Sequence, residues 1–187
     1  TLISLILGFI ALLFGISSNF LLSSVFYNLF LIFDSIDGNI ARYLKLSSKK
    51  GEYLDAIVGD IINFLFLPSL GYGLFKESSL IYLDNNFIKN HIFSISLLSS
   101  LIISISVLIS QRKKIIYQDF KKKPFRLKMS DRIPKLELFF RNSFGFAFIA
   151  PISLILSFFG FLDVLIIYNL FISLKVFMFI IKIQLND

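Results

Sequence analysis

The chain is organised by long apolar runs and short polar breaks. Residues 1 to 33 carry no charge, and Ser17-Ser18-Asn19 interrupts that run, predicting a tight hairpin between two spans. Further apolar stretches cover 53–75, 92–110, 139–159 and 161–181, with Gly160 at the last turn. A helix crosses the hydrocarbon core in roughly 20 residues at about 1.5 Å rise each. The pattern therefore predicts an all-α membrane protein of six transmembrane helices, in one domain over residues 1–187. No helix shows a strong amphipathic period, as suits helices that face lipid or one another, and no strand-like alternation persists. The first run lacks the basic leader and the small-residue cleavage site of a signal peptide. It reads as a span, and the start at Thr1 reads as a truncated N-terminus.

Charge sets the predicted orientation. The loop after the second helix holds Arg42, Lys45, Lys49 and Lys50. The loop after the fourth holds ten cations, from Arg112, Lys113 and Lys114 through Lys121, Lys122, Lys123, Arg126, Lys128 and Arg132 to Lys135. The opposite face offers Lys76, Lys89 and His91. By the positive-inside rule both basic loops are cytoplasmic, and an even helix count puts both termini there too, as in a bacterial inner membrane. The segment 112–135 reads as topology control, with attraction of lipid headgroups or an anionic substrate as the alternative. Lys175, inside the sixth span, reads as a side chain that snorkels to the cytoplasmic headgroups, with an internal cavity as the alternative.

Composition narrows the class. Of 187 residues, 56% are hydrophobic and 24 are Phe. The mean hydropathy is +0.81, more apolar than soluble domains of this size. The net charge of +7 would suit nucleic acid or an anionic membrane surface, and the apolar runs decide for the bilayer and against nucleic acid. Cysteine is absent, which excludes disulfides and thiol chemistry, and the single His91 excludes a histidine-rich metal site.

The candidate chemistry lies in four aspartates at the cytoplasmic ends of the second and third helices: Asp34, Asp37, Asp55 and Asp60. Charges at this depth are costly and usually functional. Asp34 and Asp37 are three residues apart and share a helix face. Asp55 follows across a short loop, so an antiparallel hairpin brings it opposite the pair. Convergent carboxylates make a hard oxygen site for Mg²⁺ or Mn²⁺, which offsets their repulsion and binds phosphate oxygens. Gly38 and Ala41 allow close approach, Arg42 suits a phosphate, and Gly51 opens the third helix. Together these describe a pocket for a pyrophosphate-linked nucleotide.

Asp34-Ser-Ile-Asp37-Gly38-Asn-Ile-Ala41-Arg42, then eight residues, then Gly51-Glu-Tyr-Leu-Asp55, resembles the signature of the CDP-alcohol phosphotransferases, also called CDP-alcohol phosphatidyltransferases. Seven of the eight fixed positions of DxxDGxxAR, eight residues, GxxxDxxxD are met. The resemblance implies a homodimeric membrane enzyme of phospholipid biosynthesis. It transfers a substituted phosphate, such as phosphatidyl, from a CDP-linked lipid donor to an alcohol and releases CMP. It implies that Asp34, Asp37 and Asp55 hold two divalent ions, Mg²⁺ or Mn²⁺, while Gly38, Ala41, Arg42 and Gly51 cradle CDP.

One position departs. The last aspartate, a metal ligand and general base, belongs at 59, where this chain has Gly59 followed by Asp60. Five residues turn a helix by about 140° beyond a full circle, so Asp60 is out of register unless a π-bulge at Gly59 restores it. With the bulge, Asp60 completes the metal set and serves as base. Otherwise the base comes from elsewhere, or the protein is a weakened enzyme or a non-catalytic paralogue of the same fold.

Two rival classes fit less well. Membrane prenyltransferases carry two aspartate motifs far apart in the chain, and a cation transporter needs carboxylates near the bilayer midplane. Among the other polar or special residues, Pro68 and Pro151 read as kinks, Gly71 and Gly73 as close-packing positions, Asp163 as a solvated residue at the far face and His91 as structural. Arg141 and Asn142 read either as an acceptor-phosphate site or as an anchor at the start of the fifth helix.

Overall fold

The computed structural model describes residues 2–44, 48–83, 85–120 and 146–185. Its helices are α1 (Leu2–Ile16), α2 (Phe20–Tyr43), α3 (Lys49–Lys76), α4 (Asn86–Phe120), α5 (Phe146–Phe159) and α6 (Leu162–Leu185), with a 3-10 turn at Ser78–Leu80. The described residues thus contain the six helices expected. Three hold stretches long and apolar enough to cross a membrane: Phe20–Ile40, Tyr53–Lys76 and Asn86–Ile109. Leu2–Ile16 and Ile149–Phe159 are apolar but shorter, so among the described residues three of the six expected spans are long and apolar enough to cross a membrane.

Helix ends differ from the hydropathy pattern for one reason. Charge marks where a chain leaves an apolar medium, not where its helix stops. α2 runs on through the aspartates to Tyr43, and α4 passes Ser110 through Arg112, Lys113 and Lys114 to Phe120, residues expected in a loop. Lys, Arg and Gln are good helix formers, and no Gly or Pro interrupts 86–120. Lys45 and the cations of 121–135, like Arg141 and Asn142, lie outside the described residues.

The helices alternate between two ends of the bundle. The aspartate end gathers the C-terminus of α2 and the N-terminus of α3. The far end gathers the α1–α2, α3–α4 and α5–α6 turns. At the first of these Ser18 takes φ 64°, an unusual conformation for a residue with a Cβ. Its hydroxyl donates to the Gly73 carbonyl at 3.1 Å, and the Asn19 amide closes the helix end on the Phe14 carbonyl. At the α5–α6 turn Gly160 takes φ 77°, and the Phe161 amide reaches back to the Leu156 carbonyl at 2.9 Å, a left-handed glycine cap.

α1 packs on α2 and α3, α4 on α3 and α6, and α5 on α2. Small residues allow these approaches, as is common between helices in lipid. A Cβ on Gly71 would overlap the Ser96 side chain, and one on Gly73 would overlap the Gly15 carbonyl, as close-packing positions require. Serine hydroxyls bridge helices by donating to backbone carbonyls: Ser23 to Ala11 at 2.8 Å, and Ser100 to Phe64. The Asn28 amide joins α2 to α5 through the Ala150 carbonyl at 2.8 Å. Around these lies an apolar core that includes Phe30, Phe66, Leu70, Leu74, Ile92 and Ile166.

Asp163 corrects an expectation. It is fully buried, not solvated. It sits in the first turn of α6, where the helix dipole favours an anion, and its Oδ2 accepts the Leu83 amide at 2.8 Å. The carboxylate thereby ties the α3–α4 connection to α6. His91 is exposed, with its ring 4.6 Å from that of Phe87. Lys175 is exposed on α6, which fits the snorkelling reading rather than an internal cavity.

Candidate active site at the aspartate end

α2 carries Asp34, Asp37, Gly38, Ala41 and Arg42 on one continuous helix. The stretch Phe20–Ile40, which includes the first two carboxylates, is long and apolar enough to cross a membrane. Asp34 and Asp37 are half-buried, and Gly38 lies beside them. The chain then turns within 44–48. Ser48 caps α3 in an extended conformation, its hydroxyl accepting the Gly51 amide at 3.1 Å. Gly51 is thus in the first turn of α3, two residues inside its start, with its amide committed to that cap.

The hairpin brings Asp55 back toward α2. Asp55 is half-buried, and its charge repels that of Asp34. Two hard carboxylates whose like charges oppose one another fit a divalent cation by donor chemistry. Asp37 stands one helical turn beyond Asp34 and is itself engaged in an interaction. Among the described residues, no three His, Cys, Asp or Glu side chains lie close enough together to hold a metal ion. The structure therefore brings together one carboxylate pair, with a third nearby, and not the expected cluster of four.

Asp60 stands apart. α3 is α-helical without interruption from Lys49 to Lys76, so the π-bulge at Gly59 is absent. Asp60 is exposed and lies about 140° around the helix from Asp55. A glycine gives a helix freedom to distort, but here backbone hydrogen bonding keeps the regular period. At Gly59 itself a Cβ would meet nothing within 4 Å. The position that would hold an in-register carboxylate is empty space.

Below Asp34 and Asp55 the two helices meet at a polar contact that the motif does not include. Tyr27 is fully buried and donates its hydroxyl to Asn63 Oδ1 at 2.8 Å. Its ring stacks on Phe66 with centroids 3.6 Å apart. Tyr27 lies seven residues before Asp34, on the same face of α2, and Asn63 lies eight after Asp55, about 80° further around α3. Polar residues inside otherwise apolar spans were the sequence signal for this pair. A cavity of about 330 Å³ opens at the far end, lined by Ser18, Asn19, Leu80, Ser157 and apolar neighbours. Its lining contains no ionisable group.

No curated protein and no solved structure matches the chain. The family profile described as CDP-alcohol phosphatidyltransferase matches residues 1–180, nearly the whole chain. By that match the chain belongs to the CDP-alcohol phosphatidyltransferase family.

Proposed function

We propose that the protein transfers a phosphatidyl group from a lipid-linked CDP donor, such as CDP-diacylglycerol, to an alcohol in phospholipid biosynthesis. The family supports a transferase acting on CDP-alcohols. The observation that carries the finer reading is the opposition of Asp34 and Asp55 at the membrane-embedded hairpin. Asp34 and Asp55 would hold a divalent ion, Mg²⁺ or Mn²⁺, with Asp37 less than one turn away on α2 available to a second. When bound, such ions neutralise phosphoryl oxygens and the departing phosphate.

The chain's own residues do the rest. Arg42 pairs with a phosphate of CDP, and Gly38, Ala41 and Gly51 let the nucleotide approach the backbone. The acceptor oxygen attacks the β-phosphorus in line. Its new P–O bond forms as the bond to CMP breaks, and CMP leaves with the electron pair. Asp60, turned away from the carboxylate pair on α3, takes the acceptor proton through a chain of waters. The basic loops support a cytoplasmic face for this site, and the protein acts there as a homodimer in a bacterial inner membrane.

A second reading, a non-catalytic paralogue of the same fold, is favoured by one observation: Gly59 leaves the family's base position empty on a straight helix. The two separate in one experiment. Purified protein is given CDP-diacylglycerol, Mg²⁺ or Mn²⁺ and a panel comprising glycerol phosphate, inositol phosphate, serine and a phospholipid, and lipid products are read by mass spectrometry. Transfer predicts one new phosphodiester lipid, made much more slowly by Asp60→Asn. Full activity in Asp60→Asn removes Asp60 as the base, and no product with any acceptor selects the paralogue.

A further inference from the structure

We infer that Asn63 is a specificity residue that donates a hydrogen bond to an acyl-ester carbonyl of the lipid-linked donor, in a cleft between α2 and α3. The inference deepens the proposed function and rests on it for the identity of the ligand. It starts from the direction of a single hydrogen bond. The Tyr27 hydroxyl gives its one proton to Asn63 Oδ1. Burial of Tyr27 and its stacking on Phe66 lock the ring that holds this bond. The Asn63 carbonyl therefore faces Tyr27, and its NH₂ group points the other way. No hydrogen-bond acceptor for that group is found among the described residues.

An amide with two unspent protons inside an apolar span is costly unless something receives them. Asn63 is half-buried, and its NH₂ is not among the fully enclosed unpartnered atoms, which are Ser24 Oγ, Asp163 Oδ1 and Asn169 Nδ2. It is open to an incoming group. The position indicates which group. Asp55, Gly59 and Asn63 follow one another at four-residue steps, each turned about 40° from the last, so they form one track down the α2-facing side of α3. The track descends about 12 Å from the carboxylates. At its middle, a Cβ on Gly59 would meet nothing within 4 Å. α2 and α3 touch little along this length, because each packs chiefly on other helices.

A donor anchored at the carboxylates by its pyrophosphate has its glycerol esters next in line toward the membrane interior. Ester carbonyls accept hydrogen bonds, and the ether oxygens of an analogue accept them weakly and carry no carbonyl. Asn63 is thus suited to read the linkage between glycerol and acyl chain.

The test uses the full chain reconstituted in bilayers, with CDP-diacylglycerol and its diether analogue as paired donors. Binding of each donor and CMP release from each are measured. In the unsubstituted protein the diester is preferred about tenfold in Kd and KM, the effect of one good hydrogen bond. In Asn63→Leu the diester-to-diether ratio falls to about one. Tyr27→Phe, which frees the asparagine to rotate, gives an intermediate ratio, and Asn63→Ala replaces the leucine variant if that one does not fold. A preference retained in the Asn63 variants, or absent from the unsubstituted protein, overturns the inference. If no CMP is released but the binding preference is present and lost in Asn63→Leu, the transfer reading fails and the lipid-ester site stands.

Discussion

The two ends of the bundle use glycine in opposite ways. At the far end Gly73 lies against the Gly15 carbonyl and Gly71 against Ser96, so a single added Cβ would collide. At the aspartate end Gly59 faces open space. The far end is also tied by hydrogen bonds, from Ser18 to Gly73 and from the Leu83 amide to buried Asp163. The aspartate end instead retains a repulsion, between Asp34 and Asp55. Packed glycines and hydrogen-bonded connections describe a scaffold. An open position one helical turn from Asp55, whose charge repels that of Asp34, is what the proposed site would use, since a bound cation would relieve the repulsion.

The comparison predicts how substitutions divide between stability and activity. The largest stability effect belongs to Gly73→Ala, which must push apart α1 and α3 at a backbone carbonyl and costs about 1–3 kcal/mol. Gly59→Ala, with room for its methyl and better helix propensity, leaves stability unchanged or raises it by up to about 1 kcal/mol. Thermal unfolding of both variants in one detergent checks the contrast, and equal losses would break it. Next is Asp163→Leu, which leaves the Leu83 amide without its acceptor and destabilises by about 1–3 kcal/mol. CMP release per folded molecule stays unchanged in that variant, and a specific loss of turnover would mean that the far end takes part in the chemistry. Smaller in energy, yet opposite in sign, is Gly59→Asp. A carboxylate in family register raises the CMP release rate about tenfold or more, because a direct base replaces one acting through water. A rate lowered by this change would show that the space at Gly59 is needed empty.

Much of this division was legible in the sequence, and the limits have physical causes. Helix number followed from apolar runs, and the Ser17-Ser18-Asn19 and Gly160 turns from local backbone chemistry. The α2–α3 motif was readable because carboxylates in apolar surroundings are costly enough to stand out. Helix ends were misplaced because hydropathy senses the medium and not the backbone, as Arg112 to Lys114 on α4 show. Asp163 was misjudged since its amide partner, Leu83, lies 80 residues away and comes near only by packing of α6 on the far turn. Tyr27 and Asn63 were present as polar residues in spans, but their pairing depends on how α2 and α3 cross. The register at Gly59 rested on whether a helix would distort, which is decided by competition between the backbone ladder and a single side chain.

The central claim is that the opposed carboxylates of α2 and α3 are the working part of a CDP-alcohol transferase. It is tested most directly by the rate of CMP release from CDP-diacylglycerol, with Mg²⁺ or Mn²⁺ and an accepted alcohol, in the unsubstituted protein and in Asp34→Asn and Asp55→Asn. The account predicts metal-dependent release that falls on the order of 100-fold in either variant, a loss typical of removing one group that stabilises developing charge, while both variants stay folded. Release at the same rate in folded Asp34→Asn and Asp55→Asn would contradict it.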